Sequence, residues 1–494
     1  MTATEPRAAA ERWAESYEMV VGLEVHVQLA TCTKIFCNCS TAFGDAPNSN
    51  TCPVCLGLPG TLPVLNYEVV KLATRVALAL GCTVHPVSAF ARKNYFYPDL
   101  PKGYQITQYD RPLAIDGKVQ IGETPDGAPL NVGVERVHIE EDAGKLLHDR
   151  FDGLTAVDLN RCGMPLVEIV SDADMRSSAE AVAYLRSLKQ VIEYVGASDA
   201  HMEEGALRVD ANVSVRERGD THLGTKTEIK NMNSFAGVER ALEAEFARQC
   251  AIVAAGGEVR RETMLWDAAH NATRPARTKE GSDDYRYFPE PDLPPLILTR
   301  DWIEARRSEL PELPAAHRTR LKDAYGLGPS EVEMLASDRG VSAYFESVAR
   351  IHGDAKTAAH WVMRDVQAVL NETKTAIEDF QLQVRPADLA ALLDLVRDGE
   401  LSQTAARQVF LHMVRSGDEP KRIAEREGLL QVSDEAALNA WIDEVLAEHS
   451  AEAARYVAGE RKLQGPLVGF VMSKSGGSAS PNRVNELLAK RVKS

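Results

Sequence analysis

The stretch Val21-Gly-Leu-Glu-Val-His-Val27 decides how the first half of the chain folds. Its apolar residues alternate with a glycine, an acid and an imidazole, which is the period of two that a half-buried β-strand requires. Glu24 and His26 therefore project from the same face of the strand, about 6.5–7 Å apart. The stretch predicts a strand with one apolar face against a core and a second face that carries charge.

Two later segments repeat this alternation. Residues 207–215 place apolar side chains on one face and, on the other, Arg208, Asp210, Asn212 and Ser214. Residues 225–230 present on their polar face Lys226, Glu228 and Lys230. Antiparallel sheets often keep one wet face, so a single strand of this kind carries no functional meaning. Three such strands with the same carboxylates, amides and cations indicate a shared polar surface.

Further acids gather in two motifs, His138-Ile-Glu-Glu-Asp142 and His201-Met-Glu-Glu204. Adjacent strand residues point to opposite faces, so parity separates Glu140 from Glu141 without choosing between them. Carboxylates and cations together are the groups that hold Mg²⁺ and the triphosphate of ATP. The chain has no G-x-x-x-x-G-K-[ST] loop and no G-x-G-x-x-G turn after a strand. Any nucleotide site must therefore depend on carboxylates and metal.

The pattern along the chain predicts an α+β protein of two or three domains, because 494 residues are too many for one core. Residues 17–293 mix strand-like segments with helices, which are predicted at 67–80, 178–194 and 237–254. A proline cluster at 288–295 suits a domain edge, since proline removes a backbone donor and fixes φ. Beyond it we expect a helical domain at 294–417 and a tail domain at 418–494.

Composition bounds the setting of the protein. Residues 1–16 are polar and alanine-rich, so we expect a disordered leader and not a signal peptide. No apolar stretch reaches about 18 residues, which predicts no membrane-spanning helix. Eight cysteines without a secretion signal indicate reduced thiols or metal ligands, and hence a cytoplasmic protein.

Four of these cysteines form two close pairs. Cys37 and Cys39 are followed, after twelve residues, by Cys52 and Cys55. Thiols at such spacing can take adjacent corners of a tetrahedron, and the intervening turn residues can bring the second pair round. Because four thiolates fill the coordination shell of zinc, the spacing predicts a structural Zn²⁺ site, a zinc knuckle at residues 37–55.

The charge is unevenly distributed. A net charge of −16 argues against a protein that coats nucleic acid with its whole surface. Residues 461–494, however, hold seven basic residues and one acid, Glu486. A basic end is often only a solvated helix, and it is also the kind of segment that binds RNA phosphates.

Longer motifs extend the comparison to a known family. They are residues 18–27, 92–105, 140–145, 158–161, 202–208, 230–235 and 280–292. The second contains Arg92-Lys-Asn-Tyr-Phe-Tyr-Pro-Asp-Leu-Pro-Lys-Gly-Tyr-Gln105 and the third is Glu140-Glu-Asp-Ala-Gly-Lys145. From about residue 17 to the C-terminus, the chain closely resembles the B subunits of bacterial aspartyl/glutamyl-tRNA amidotransferases.

The resemblance implies a function. Members of this family convert Glu-tRNA(Gln) to Gln-tRNA(Gln), Asp-tRNA(Asn) to Asn-tRNA(Asn), or both, and the sequence does not distinguish these options. The B subunit uses ATP and Mg²⁺ to phosphorylate the side-chain carboxylate of the tRNA-borne amino acid. An amidase partner, the A subunit, releases ammonia into a channel, and a small third partner, the C subunit, clasps the pair into a heterotrimer. The implied fold is a cradle domain distantly like glutamine synthetase, followed by an all-α helical domain and an all-α tail domain that grips the tRNA.

The resemblance also assigns residues to roles. The Mg²⁺ ligands are Glu24, His26, Glu141 and Glu228, and Glu140 and Glu204 are their neighbours. Residues at the channel mouth, which can also meet the acyl-phosphate, are Lys93 and Lys102. ATP or substrate is assigned to Arg208, Asp210 and Asn212. Beside a predicted helix start at Ser480, the residues that match the tRNA-gripping motif are Lys474 and Arg483. The four cysteines match the zinc-binding members of the family.

Two alternatives belong to other classes of protein. A free-standing acid–ammonia ligase would amidate free glutamate and would not need the basic tail. A non-catalytic, zinc-stiffened RNA scaffold would tolerate the loss of Glu24 or His26 without loss of amidation. The ligase requires a catalytic site on the polar face, and the scaffold does not. The geometry of that face is therefore the first feature to establish.

Overall fold

The computed structural model describes residues 5–124, 126–276, 285–431, 434–476 and 478–493. The chain divides into two compact units, Met1–Ala315 and Ala316–Ser494. The first unit combines a large sheet with helices, and the second is helical. This confirms the α+β class. Residues 280–284 of the sequence motif 280–292 lie outside the described part of the chain.

The first unit contains strands and helices in alternation. Its described strands are β1 (Tyr17–Gln28), β2 (Thr83–Val84), β3 (Val87–Ser88), β4 (Ala91–Asn94), β5 (Tyr104–Thr107), β6 (Ala114–Glu123), β7 (Pro129–Glu141), β8 (Lys145–Phe151), β9 (Leu154–Asp158), β10 (Pro165–Ser171), β11 (Leu207–Glu217), β12 (Thr227–Lys230), β13 (Thr263–Asp267), β14 (Ala272–Pro275), β15 (Phe288–Pro289) and β16 (Leu296–Ile297). Its described helices are α1 (Glu5–Glu11), α2 (Tyr67–Ala79), α3 (Ser178–Tyr194), α4 (Phe235–Ala254) and α5 (Arg300–Ser308).

Twelve of the described strands form one sheet. Its main path runs β14-β13-β12-β11-β1-β10-β7-β5-β4-β15, and β6 joins β7 to β2. The pairs along it are antiparallel except for β12 and β13, which are parallel. Strand β1 is interior, with Glu24 opposite Asp210 of β11 and opposite Val170 of β10. This strand is therefore hydrogen-bonded on both sides.

The apolar face of β1 lies against the core. Exposure is 1% or less at Val21, Leu23, Val25 and Val27. The same buried cluster contains residues of α2, α3 and α4, among them Val76, Leu188 and Leu242. The strand therefore has the predicted buried face and polar face, because the apolar side chains alternate and only one side of the strand is removed from water.

The helices that cover this face begin at capping serines. The Ser177 side chain accepts a hydrogen bond from the backbone of Glu180, and α3 spans the predicted 178–194. Ser234 accepts from Gly237 at the start of α4. A side-chain oxygen at this position satisfies a backbone donor that has no partner within the helix. Capping and apolar periodicity together explain why both helices start where they do.

The N-terminal segment differs from the expected disordered leader. Residues 5–11 form α1, and Trp13 packs its ring edge-on against Tyr17 at a centroid distance of 5.9 Å. Ala10 and Trp13 also pack against the main core. The composition was polar enough to suggest disorder, but one tryptophan and a few alanines provide an apolar stripe. Residues 1–4 of the expected leader lie outside the described part of the chain.

The second unit is helical. Its helices are α6 (Pro314–Tyr325, which begins at the end of the first unit), α7 (Pro329–Ala336), α8 (Arg339–His352), α9 (Ala355–Trp361), α10 (Gln367–Thr373), α11 (Ile377–Gln383), α12 (Pro386–Arg397), α13 (Gln403–Ser416), α14 (Pro420–Arg426), α15 (Glu435–Glu448), α16 (Ser450–Val457), α17 (Gln464–Lys474) and α18 (Pro481–Lys493). A π-helical turn, Val362–Val366, joins α9 to α10, and a 3₁₀ turn, Arg461–Leu463, precedes α17. Among the helices described, none combines the length and apolar character needed to cross a bilayer.

Two hydrophobic clusters divide the second unit. One runs from Leu321 to Ala424 and the other from Leu438 to Leu488. Ile423 of α14 belongs to the first cluster, although the predicted tail domain began at residue 418. We therefore place the boundary between the helical and tail parts after Arg426. The predicted first boundary, at residue 293, likewise precedes the end of the first unit at Ala315.

A buried carboxylate anchors the far edge of the sheet. Glu245 of α4 is 0% exposed and accepts hydrogen bonds from Thr227 of β12 (2.9 Å) and Thr273 of β14 (2.7 Å). The Arg248 guanidinium and the Gln249 amide complete its shell at 2.6 Å and 3.0 Å. A buried charge is tolerated only when paired and hydrogen-bonded in this way. Glu245 thereby fixes β12, which carries Glu228 and Lys230.

Replacement of Glu245 by alanine should lower the free energy of unfolding of the first unit by about 3 kcal/mol. The substitution removes a buried carboxylate and leaves its four hydrogen-bonding partners without an acceptor. Thermal and urea unfolding of the full chain would measure the loss. The control is Glu193→Ala in α3, which removes a 38%-exposed carboxylate paired with Lys189. It should change stability by less than about 0.5 kcal/mol. Equal effects of the two substitutions would contradict the anchoring role.

Candidate active site

The polar face of the sheet crosses five neighbouring strands. The register places Glu228 of β12 opposite Asn212 of β11, and Arg208 of β11 opposite His26 of β1. On the other side of β1, His26 lies opposite Glu168 of β10, which in turn lies opposite His138 of β7. Directly opposed side chains on one face are about 4.5–5.5 Å apart at Cβ. Antiparallel pairing therefore gathers into one row groups that are far apart in sequence.

The centre of this row is a group of two carboxylates and an imidazole. His26 Nε2 lies 3.3 Å from Glu168 Oε2 and 3.4 Å from Glu140 Oε1. Ligand atoms of the three residues all lie within 4.8 Å of one another. Glu140 is 2% exposed and Glu168 is 7% exposed, so both acids are withdrawn from water. We call these three residues the central triad.

The charges of the triad depend on one another. Burial raises the pKa of Glu140, and the neighbouring Glu168 carboxylate raises it further. Burial would also raise the pKa of Glu168, but His138 and His26 hold it well below its usual range. Burial alone would lower the pKa of His26, and the Glu168 and Glu140 carboxylates instead raise it to about 9. The imidazolium thus serves as the cation between two buried acids.

Three basic side chains lie on the polar face, and two of them, Lys93 and Arg208, are close enough to interact with members of the triad. Lys93 of β4 has a raised pKa: burial is the largest single effect and opposes its charge, but Glu140 and other nearby acidic groups together outweigh it. Arg208 donates to Asp142 at 2.8 Å. Lys230 contacts Asp210 at 2.6 Å and Glu228 at 3.0 Å. Cations on both sides of a carboxylate group suit a polyanionic ligand that arrives with its own metal ion.

Some of the acids predicted from the sequence lie on the polar face, and others do not. Glu24 and Glu228 lie on the polar face, where Glu24 accepts from Asn212 at 2.9 Å and Glu228 accepts from Thr263 at 3.0 Å. Glu24 and Glu228 are not members of the central triad. Glu204 is exposed in the turn before β11 and lies outside it as well.

Glu141, the acid that the resemblance favoured over Glu140, lies on the other side of β7. It has the parity of the core residue Ile139, accepts from the backbone of Ile106 at 2.8 Å, and is in close contact with the Lys102 ammonium. Glu141 and Lys102 line a cavity of about 190 Å³ together with Cys55. The structure therefore brings Glu140, and not Glu141, beside His26.

Two residues of the site were missed in the sequence. The sequence did contain a signal for Glu168. It is the one charged residue in the strand Pro165-Leu-Val-Glu-Ile-Val-Ser171, whose residues are all buried. An acid within a fully buried strand must have a partner. His138 is 4% exposed and lies 3.1 Å from Glu168, but its pairing with β10 cannot be read from local sequence.

The four predicted zinc ligands do come together. The sulfur atoms of Cys37, Cys39, Cys52 and Cys55 lie within 4.8 Å of one another, and all four are free thiols. The Cys52 and Cys55 sulfurs are 3.9 Å apart, close to the ~3.8 Å that zinc–sulfur bonds of about 2.3 Å give in a tetrahedron. The donor set thus fits a divalent zinc ion. A hydrogen bond from Cys37 lowers the pKa of Cys55 to about 5, with smaller contributions from the Cys52 backbone and Lys34, against the opposing effect of burial.

The predicted tRNA-binding residues lie in the tail part of the second unit. Lys474 contacts Glu444 at 3.1 Å, and Arg483 contacts Glu435 at 3.1 Å. Both acids belong to α15, which thus pairs with one basic residue of α17 and one of α18. Side chains in these pairs are about one-third or more exposed. Such pairs are weak and open to competition from phosphate.

Comparison with known proteins gives consistent matches along the chain. A family model described as the GatB/GatE catalytic domain matches residues 19–304, and one described as the GatB domain matches residues 343–492. A protein of Syntrophotalea carbinolica, named as the B subunit of an aspartyl/glutamyl-tRNA(Asn/Gln) amidotransferase, is 50% identical over 477 residues, which cover 96% of this chain and 98% of that protein. Proteins of the same name from Thermosynechococcus vestitus and Geotalea uraniireducens are also 50% identical, with coverage of 97% and 97%, and of 96% and 99%, respectively.

These matches include every strand that contributes to the polar face. They also extend over α17 and α18 of the tail. The chain therefore belongs to the family of aspartyl/glutamyl-tRNA(Asn/Gln) amidotransferase B subunits.

Proposed function

We propose that this chain is the B subunit of a tRNA-dependent amidotransferase. In this role it uses ATP to phosphorylate the side-chain carboxylate of Glu-tRNA(Gln), Asp-tRNA(Asn) or both. Ammonia from an amidase partner then replaces the phosphate, which gives Gln-tRNA(Gln) or Asn-tRNA(Asn). The observation that carries the proposal is the central triad, His26, Glu140 and Glu168. It lies on a polar face with basic side chains, in a chain related over 96% of its length to such subunits.

The first step is phosphoryl transfer. A substrate carboxylate oxygen attacks the γ-phosphorus of ATP, the bond to the β-phosphate oxygen breaks, and ADP leaves. Bound Mg²⁺ supplies charge neutralisation on the phosphates. His26, Glu140 and Glu168 are the residues that would hold it, and Glu24 and Glu228 lie on the same face. Lys93, Arg208 and Lys230 would bind the phosphate oxygens, while Asp210 and Asn212 keep the basic groups and Glu24 in place.

The second step is amide formation. The nitrogen of ammonia attacks the carbonyl carbon of the acyl-phosphate, the carbon–oxygen bond to phosphate breaks, and nitrogen loses a proton. A carboxylate alone resists this attack because its oxide is a poor leaving group, so phosphorylation must come first. The cavity lined by Lys102 and Glu141 lies on the other side of β7 from Glu140, and in this proposal ammonia approaches through it and passes the end of β7.

Several finer features belong to the same proposal. The first unit is taken as a cradle distantly like glutamine synthetase, and the thiol cluster as a structural Zn²⁺ site. The partners are the amidase, or A, subunit and the small C subunit of a cytoplasmic heterotrimer. Support for these features comes from the family resemblance and, for zinc, from the geometry of four thiols within 4.8 Å.

Substitution of Glu168 by glutamine should reduce tRNA-dependent ATP hydrolysis and amidation at least about 100-fold, because it removes a charge that is needed for the metal and the phosphates. The assay uses the assembled complex with Glu-tRNA(Gln) and Asp-tRNA(Asn) as substrates. Glutaminase activity of the amidase partner and tRNA affinity should be unchanged.

The matched control is Glu135→Gln, which alters a 57%-exposed acid of the same sheet. It should leave amidation within about twofold of the wild type. Full amidation by Glu168→Gln would favour the non-catalytic scaffold. Amidation of free glutamate without tRNA would favour a free-standing ligase.

Metal affinity should rise with pH. His26 has a raised pKa of about 9 in the metal-free protein, so its ring is protonated at neutral pH and offers no lone pair to a metal. Mn²⁺ affinity should therefore increase by up to about tenfold per unit between about pH 7 and pH 8.5, as protons compete less. Electron paramagnetic resonance of free Mn²⁺ measures this binding. His26→Asn should flatten the profile, and a flat profile in the wild type would refute a role for His26 as a ligand.

Binding of tRNA should depend on the charges of α17 and α18. Neutralising substitutions are the appropriate test, because Leu467, Val471 and Leu488 of this segment form part of the tail core and truncation would unfold it. The pair Lys474→Gln and Arg483→Gln should weaken tRNA binding about tenfold and reduce the slope of log affinity against log salt by about two.

The control for the tail is an equal loss of charge elsewhere in the second unit. Arg397→Gln with Arg426→Gln removes two exposed arginines that are also paired with acids. This control should leave both tRNA affinity and its salt dependence unchanged. The same response from both double variants would mean that total charge, and not the tail, determines binding.

A further inference from the structure

A completely buried lysine lies beside the four-cysteine cluster, just before the segment 37–55. Lys34 is 0% exposed, and its backbone N–H donates to the Cys39 carbonyl at 3.0 Å. Its ammonium donates to the Asn50 carbonyl at 2.7 Å and lies 3.8 Å from the Cys55 sulfur. Neither the cysteine spacing nor the function proposed above assigns a role to this residue.

The ammonium lacks a carboxylate partner among the residues that the structure describes. No described Asp or Glu oxygen lies within 4.0 Å of Lys34 Nζ, and the acid lining the adjacent cavity, Glu141, is paired with Lys102. An isolated buried ammonium is unfavourable by several kcal/mol. The negative charge that makes its burial tolerable must therefore come from a different group nearby.

The described acid Glu141 borders the same space at Gly163 as the Lys34 stem, but its charge is already offset by Lys102. The thiols are therefore the remaining source of negative charge in contact with the Lys34 ammonium. Neutral thiols would supply none, and a Cys52–Cys55 disulfide would remove the acceptor beside it. Four thiolates around a divalent ion carry a net charge of −2, which a neighbouring ammonium offsets by one unit. We propose that Lys34 is the countercharge and positioning residue of a metal–tetrathiolate centre, to which it donates an N–H···S hydrogen bond at Cys55.

Packing holds Lys34 at this distance. Gly163 has a φ of +80°, and a Cβ there would lie 3.4 Å from the Cys55 Cβ and 3.7 Å from the Lys34 Cδ. A side chain at residue 163 would therefore be strained by the backbone conformation, and its Cβ would be in van der Waals contact with both the lysine stem and the cysteine. The backbone of Ile35 donates to the Gly163 carbonyl at 3.0 Å, which keeps the lysine in register with this loop.

The same contacts tie the knuckle to the sheet. Asn50, whose carbonyl accepts from Lys34, donates through its backbone to the Asn160 side chain at 2.8 Å. Cys162 donates to the Cys55 carbonyl at 3.2 Å, and Gly163 donates to the carbonyl of Asp142 at 2.9 Å. Asp142 ends the β7 motif and binds Arg208. The metal centre and Lys34 thus brace one end of the polar face.

Bound zinc should enlarge the effect of a Lys34 substitution. In the zinc-loaded chain, Lys34→Met should weaken zinc binding about 10–100-fold, as the loss of an outer-sphere partner does in other metal sites. In the chelator-stripped, reduced chain, the same substitution should shift the thermal midpoint less than it does in the zinc-loaded chain, because a single Cys55 thiolate is a smaller countercharge than a metal–tetrathiolate centre. Chelator competition and calorimetry on the full chain measure the two effects. Lys34→Arg keeps the charge and should hold zinc more tightly than Lys34→Met.

A matched control is Lys71→Met in α2, which removes a partly exposed lysine paired with Glu68. It should leave zinc affinity unchanged. Equal zinc affinity of Lys34→Met and the wild type would overturn the proposal. A shift of the thermal midpoint in the stripped chain as large as that in the zinc-loaded chain would also overturn it, and so would a Lys34→Met chain that fails to fold.

The inference rests on the proposed zinc site and not on phosphoryl transfer. A wild-type chain that retains no zinc would refute both the zinc site and the role of Lys34. Loss of amidation with normal zinc binding would leave the role of Lys34 intact, because metal retention is measured without reference to activity.

Discussion

The contact between His26 and the two buried acids Glu140 and Glu168 constrains the whole first unit. Two carboxylates cannot remain charged and buried side by side unless a cation lies between them. The cation here is an imidazolium on β1, and it reaches both acids because β10 and β7 follow β1 in the sheet. The two acids can therefore be buried together only with this order of strands, which brings the imidazolium to both of them.

The same reasoning applies around the triad. Three further acids withdrawn from water each have a basic partner: Asp142 with Arg208, Glu141 with Lys102, and Glu245 with Arg248. Such pairs give little net stability compared with apolar packing. The Asp142–Arg208 pair on the polar face is explained by ligand binding, whereas Glu245 fixes β12 in the fold. Apolar residues provide the stability on the other face, where α2, α3 and α4 cover the sheet.

Local sequence predicted those parts of the site that depend on strand parity. The faces of β1, β11 and β12 follow from a period of two, so Glu24, His26, Asp210 and Glu228 were assigned to the polar side correctly. Cysteine spacing likewise predicted the cluster of four thiols. Glu168 and His138 were missed, and Glu141 was preferred to Glu140, because these assignments depend on which strands become neighbours. Pairing between β1, β10 and β7 joins segments that are far apart in sequence, and the sequence of an apolar strand does not identify the strands that will pair with it. The ordered α1 and the later domain boundaries depend on packing in the same way.

The central claim is that the polar face binds a divalent ion between His26, Glu140 and Glu168. The most direct measurement is anomalous diffraction at the manganese edge from crystals of the assembled complex with Mn²⁺ and a non-hydrolysable ATP analogue. We expect a manganese peak bounded by His26 Nε2 and the carboxylates of Glu140 and Glu168, with analogue phosphate oxygens on its open side. A peak at Glu141 on the opposite side of β7, or no manganese on this face, would contradict the claim.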